Sequence, residues 1–171
     1  MNKNLPKNYD NIIDLINFHA FIEELFIQHQ LHIMNGHFKS ALKILRILKK
    51  YLYQHIHDEE GLLIPLYAEK ISPHPQGGNV DFYIKEHRQL LIYLDHFIKI
   101  LSEQADIKKD ISMERVKLFD LYYKFKHLME HHSAREDTFL YRLLDRVVKK
   151  QEKVELLRQM IKNQNRINPG I

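Results

Sequence analysis

Apolar positions recur three and four residues apart through four long stretches of this chain, with few interruptions. Gly36 stands in MNGHF, Pro73 to Gly78 form SPHPQGG, and a stretch near Gln104 to Asp110 carries charge with little periodicity. The spacing predicts helices over about 10–34, 38–70, 80–104 and 111–148. Asp10, Asn79 and Asp110 are candidate N-caps. Beyond them, QEKVELLRQMIKNQNRINPGI carries a shorter pattern at Val154, Leu157 and Ile161, which predicts a small fifth helix that then frays. Long amphipathic helices on short connections pack as antiparallel neighbours. The expected fold is all-α, an up-down-up-down antiparallel four-helix bundle with a short C-terminal extra helix. It is one domain over residues 1–171, with a core at about 10–148 and a tail beyond it.

The apolar stripes are interrupted by ionisable residues, and their angles decide which of these face inward. At about 100° per residue, Ile44, Leu48, Tyr51, Leu52 and Leu62 fall within about 60° of His55, and Glu59 at about 40°. His57 points away, about 160° from that zero. In the fourth helix, Leu118, Leu121, Phe125, Leu128, Phe139 and Leu143 lie within about 40° of His132, as does Glu136. His127 and His131 fall on the polar side, at about −140° and −100°, which leaves His131 a marginal fallback. His87 shares its stripe with Val80, Tyr83, Leu91, Leu94, Ile98 and Leu101, while His96 faces the other way. His19 shares a stripe with Ile12, Leu15, Phe26 and Ile33; His29 and His32 lie off it. Two segments thus repeat one arrangement, His-x-x-x-Glu, with both side chains on one face a turn apart.

Height along the bundle is a second test. Around a turn at Gly36, His19 and His55 are nearly level, whereas His29 is roughly 15–18 Å too low. Around a turn near residue 107, His87 and His132 miss each other by about 7 Å. Glu23, one turn after His19, is a further carboxylate on the core side, as ligand, acceptor for a ligand, or group reaching out at the edge. Tyr51 and Tyr83 are expected to pack or to hydrogen-bond ligands, His37 and His74 to lie at the surface, and Asp58 and Glu60 to be solvated.

Composition narrows the chemistry. The absence of cysteine excludes disulfides, thiolate metal sites and cysteine nucleophiles. A net charge of +4, from scattered basic residues, gives no cationic run for nucleic acid. No apolar run is long enough for a membrane span, and MNKNLPKNYD has no apolar leader core, so a cytoplasmic protein is expected.

Buried imidazole and carboxylate are costly unless something binds them. His19, His55, Glu59, His87, His132 and Glu136 are too many donors for one zinc ion, which takes about four ligands. Mixed nitrogen and oxygen donors suit iron or manganese, and paired carboxylates can bridge two ions. With an oxo or hydroxo bridge added, about two positions stay open for water or a small ligand.

The ordered set, carried by NFHAFIEELFIQHQ, HIHDEEGLLIPLY, IKEHRQLL and EHHSAREDTFLYRLL, resembles the hemerythrin-like, or HHE cation-binding, family. The resemblance implies two iron ions inside a four-helix bundle, with the four histidines as terminal ligands and Glu59 and Glu136 as bridges. It implies a small ligand such as oxygen, nitric oxide or peroxide. Alternatives are iron handling or iron-centre repair, and a metal-dependent structural or interaction module. Oxygen-carrying relatives have a second histidine on the third helix where this chain has Tyr83. That implies autoxidation or peroxide turnover rather than oxygen storage, with Tyr83 filling the space. Many relatives also have proline where Arg142 stands, which predicts that the fourth helix runs on without a kink; Pro65 is kept.

Overall fold

The computed structural model describes residues 9–104 and 112–167. A 3₁₀ turn, Ile12–Leu15, leads into α1 (Ile16–Met34). Next come α2 (Phe38–Asp58), a π-helical turn (Glu59–Leu63) and α3 (Ile64–Lys70). α4 spans Val80–Gln104. α5 (Ser112–Arg135) passes through a second π-helical turn (Glu136–Tyr141) into α6 (Arg142–Val147), and α7 (Lys150–Ile167) closes the described chain. The described residues form a helical bundle without strands, and none of their helices is long and apolar enough to cross a membrane.

The local chemistry explains the ends. Gly36 takes φ +75, where a side chain would be strained. There the His37 N–H donates to the His32 carbonyl at 2.8 Å and the Gly36 N–H to Ile33 at 3.1 Å, the Schellman closure that ends α1. Asn79 caps α4 as expected, accepting from the Asp81 N–H at 2.9 Å. At the first turn the cap is Asn11 rather than Asp10: the Asp14 carboxylate accepts from the N–H groups of both, at 2.8 and 3.0 Å. Asp110 lies outside the described residues.

Two apolar clusters form the core. One holds Ile22, Phe26, Leu45, Leu52, Leu90, Leu94, Phe97 and Phe125. The other holds Ile12, Leu15, Leu63, Tyr67, Tyr83, Leu140, Leu144, Leu157 and Met160. Every helix that crosses between them carries a candidate ligand at the crossing: His19 after Leu15, His55 and Glu59 between Leu52 and Leu63, His87 between Tyr83 and Leu90, His132 and Glu136 between Phe125 and Leu140.

Several expectations need correction. The fifth helix is long, 18 residues, and docks through Leu157, Met160 and Gln164, while Val154 is exposed. Asp58 is buried rather than solvated; it accepts from Gln54 at 3.0 Å and from Asn163 of α7 at 2.6 Å. His29 is fully buried, away from the other inward histidines. Its Nδ1–H donates to the Ala41 carbonyl at 2.9 Å and its Nε2 accepts from Tyr122 at 2.6 Å. Burial lowers it to about 4, so it is neutral. The chain does run on as helix past Arg142 to Val147, but it widens into a π turn at Glu136 on the way.

Candidate metal centre

All six residues singled out by face and height are buried and meet between the two apolar clusters. Glu136 Oε2 lies 3.0 Å from His19 Nε2, and Glu136 Oε1 lies 3.0 Å from His132 Nε2 and 3.2 Å from His87 Nε2. Glu59 Oε1 lies 3.3 Å from His55 Nε2, and Oε2 lies 3.4 Å from His87 Nε2. His19 and His55 face each other through Nε2 at 3.2 Å. The expected height mismatch between His87 and His132 is absent, their ring centroids being 4.7 Å apart. Helix ends at Gln104 and Ser112 move the midpoint to residue 108, which cuts the mismatch to roughly 4–5 Å, within reach of side-chain length.

These atoms form two groups of four, His19–His55–Glu59–Glu136 and Glu59–His87–His132–Glu136, the donors within 4.8 Å of one another in each. Such groups could hold a metal ion. The unmet polarity fits: Glu59 Oε2 and His132 Nε2, both facing the cluster, are buried without a hydrogen-bond partner. His132 Nε2 is close to Glu136 but not aligned for a hydrogen bond, as expected of two groups aimed at a common point rather than at each other.

Electrostatics divide the cluster. Burial works against charge on His87, but its hydrogen bond to Glu136 and the attraction of Glu59 and Glu136 outweigh it and raise the imidazole to about 11. Burial likewise opposes charge on His132, and Glu136 and Glu86 raise it to about 9. His55 is pushed the other way by burial, down to about 4 despite Glu59. Burial favours neutral Glu136, yet His132, His19 and His87 hold its carboxyl well below the usual range. A cation held here would have to displace the protons on His87 and His132 and would take over their role.

No protein-family model, no curated protein and no solved structure matches this chain.

Three residues near the cluster were not expected there. Tyr141 is buried, its hydroxyl donating to Glu59 and lying 3.3 Å from Glu136 Oε2 and from the Nε2 atoms of both His19 and His55. Burial, reinforced by Glu136 and Glu59, pushes its phenol well above the ordinary value. On a plain α-helix Tyr141 would sit about 180° from His132, so unrolling the sequence turns it outward. The π turn returns it, because its bonds close five residues on and bring Tyr141 back over Glu136. Glu60, exposed, accepts from His87 Nδ1 at 2.9 Å, and Glu86 accepts from His132 Nδ1 at 3.2 Å. Arg135 anchors Glu86 at 3.1 Å and donates to the Gly77 carbonyl at 2.6 Å. Only their positions beside ligands, one before His87 and one after Glu59, could have signalled them.

The rejected residues behave as their faces require: His37, His57, His96, His127 and His131 are exposed. Glu23 is exposed and outside both donor groups, at the rim of a cavity rather than in the cluster. Tyr83 is buried edge-on to Tyr67, 6.1 Å between centroids, and its hydroxyl is unbonded; the phenol among the ligands is Tyr141. Tyr51 packs edge-on against Phe21. His74 is half-buried, stacked on Tyr67.

A cavity of about 270 Å³ opens between α1 and α5. Ile22, Phe26 and Phe125 form its buried wall, Glu23 and Glu130 its exposed rim, and His19 lines it. At 6 % exposure, His19 is the most accessible of the six.

Proposed function

We propose that this chain is a hemerythrin-like di-iron protein in which an up-down-up-down antiparallel bundle holds two iron ions. They would be bound by His19, His55, Glu59, His87, His132 and Glu136, with a small ligand such as oxygen, nitric oxide or peroxide reaching them. The observation that carries this reading is the sharing of both carboxylates: Glu59 and Glu136 belong to each donor group, while each group has its own pair of imidazoles. One ion needs no such sharing; two adjacent ions do.

Bound there, two adjacent iron ions supply paired one-electron redox and open coordination positions. The chain's residues hold and orient. Glu60 and Glu86 accept the Nδ1 protons of His87 and His132, which fixes each ring as an Nε2 donor toward the cluster. Tyr141 fixes Glu59 through its hydroxyl and is placed to supply a hydrogen bond, or a proton, beside His19 and His55. The cavity wall is apolar and its rim carries Glu23 and Glu130 with Lys126 beside them, so it suits small uncharged molecules.

The test is metal analysis with an optical spectrum of protein isolated without oxygen, then exposed to oxygen, peroxide and nitric oxide. About two iron atoms per chain and a spectral change with at least one ligand are expected. Stoichiometric single zinc, with no iron form obtainable, sinks the reading. A reversible adduct marks a binder, and repeated turnover an enzyme; turnover is expected, because α4 supplies a single imidazole.

A further inference from the structure

The outer face of α5 carries a pair that the buried cluster does not use. His127 and His131 are both exposed, and their Nε2 atoms are 3.1 Å apart. The rings stand nearly perpendicular, at 81° with centroids 4.3 Å apart. Glu130, between them in sequence, approaches the other side of His127, its Oε2 4.0 Å from Nδ1. Tyr123 lies parallel to the His127 ring, 6.2 Å away.

Two nitrogen–metal bonds of about 2.0–2.1 Å, meeting at about 90–110°, place their nitrogens roughly 2.9–3.4 Å apart. The pair already has that separation, and helix geometry keeps the two rings within reach of each other, since residues four apart stand one turn above each other. Without a cation, one ring can donate an N–H to the other; with one, both lone pairs turn to it.

We propose that His127 and His131 form a second cation site, at the surface, which chelates a single divalent transition ion through both Nε2 atoms. Zn²⁺, Cu²⁺ and Ni²⁺ fit two imidazoles; Mg²⁺ and Ca²⁺, which want oxygen donors, do not. Water completes the coordination, so this ion exchanges freely, unlike one enclosed among the buried residues. The site does not depend on the identity of the buried metal.

The experiment uses untagged full-length protein as isolated, so that the buried cluster keeps whatever it holds. The protein is passed over a nickel-charged chelating resin, which only surface histidines can reach, and is separately titrated with Cu²⁺ while the copper electron-paramagnetic spectrum is followed. The wild type should be retained and should take up a Cu²⁺ showing coupling to two nitrogens. His127→Ala and His131→Ala should elute early and lose that signal, with their thermal unfolding unchanged because both side chains are exposed. His57→Ala should behave as wild type. A wild type that flows through, or variants retained and copper-loaded like the wild type, overturns the proposal.

Discussion

The two π-helical turns start at the same point of the repeated pattern, Glu59 and Glu136, each one turn after its histidine, yet they are built differently. In the first, Pro65 follows Glu59 by six residues. Proline has no N–H to give the Gly61 carbonyl, and its ring would crowd that carbonyl, so a plain α-helix is already penalised there. In the second, Arg142 holds the equivalent place, has its N–H, and reaches Asp137 at 3.3 Å instead. Nothing local forces the second turn to widen. What widening achieves is tertiary: Tyr141 enters the cluster, and Glu136 meets three imidazoles where Glu59 meets two. One turn is written in its own segment, the other in residues 49 to 122 positions away.

The sharpest way to break this comparison is to remove each carboxylate. Glu136→Ala should abolish metal retention and destabilise the chain by about 3–5 kcal/mol, the cost of stripping a buried charge cluster of its counter-charge. Glu59→Ala should lose metal with a smaller drop in melting temperature, and Glu23→Ala should keep it. Elemental analysis and thermal unfolding decide; a loaded Glu136→Ala protein beside an empty Glu23→Ala protein would invert the assignment.

Acidity gives the next largest effect. In the metal-free chain, His87 and His132 are raised to about 11 and about 9, above the ordinary 6.5. The stability they lend is full below the unfolded value and is lost as pH rises through about 9 and then about 11. Glu136 is depressed, so its contribution is present above the ordinary carboxylate value and fades as acid protonates it. A metal must displace both imidazole protons, so affinity should climb up to roughly 100-fold per pH unit below the lower of these values. Titrating metal-free protein in weakly buffered solution should release about two protons per chain filled; no proton release would show that these imidazoles are not displaced.

Tyr141→Phe tests the second turn. Loss of its hydroxyl should weaken metal binding by about 10–100-fold, typical for a group that orients ligands. Tyr83→Phe should change it less, and equal losses would mean that the turn between α5 and α6 does not owe its shape to Tyr141. The smallest effect belongs to Pro65→Ala, which restores an N–H. If the first turn is held by local chemistry alone, it should relax and Glu59 should shift, at a stability change within about 1 kcal/mol. Retained metal would show that the ligands hold this turn too.

Much of the cluster was legible because helix faces are legible. The i,i+4 pairs, the outward His57 and His96, and the low position of His29 all follow from regular geometry. Legibility fails one turn beyond each carboxylate. Regular unrolling puts Leu62, Phe139 and Leu143 on the buried face, yet the buried residues are Leu63, Ile64, Tyr67, Leu140, Tyr141 and Leu144. A π turn absorbs one extra residue and advances everything after it by one position. The signal was present as a slip of phase in LLIPLY and FLYRLL, but it reads as noise unless a widened turn is allowed for. The Asp58–Asn163 contact was invisible for another reason: it joins segments more than a hundred residues apart, and no local pattern encodes it.

The layer of imidazole and carboxylate that crosses the bundle also sets how the molecule opens. Two apolar clusters separated by charge are two candidate cooperative units, joined by the helices that cross the layer and by what lies within it. With only protons and charges holding the layer, the half containing α3, α6 and α7 can open while the half around Phe97 and Phe125 stays closed, and amide hydrogen exchange would record two separate protection levels. A cation bonded to residues of α1, α2, α4 and α5 at once fuses the halves, so the metal's effect on exchange would be greatest in helices that do not touch it.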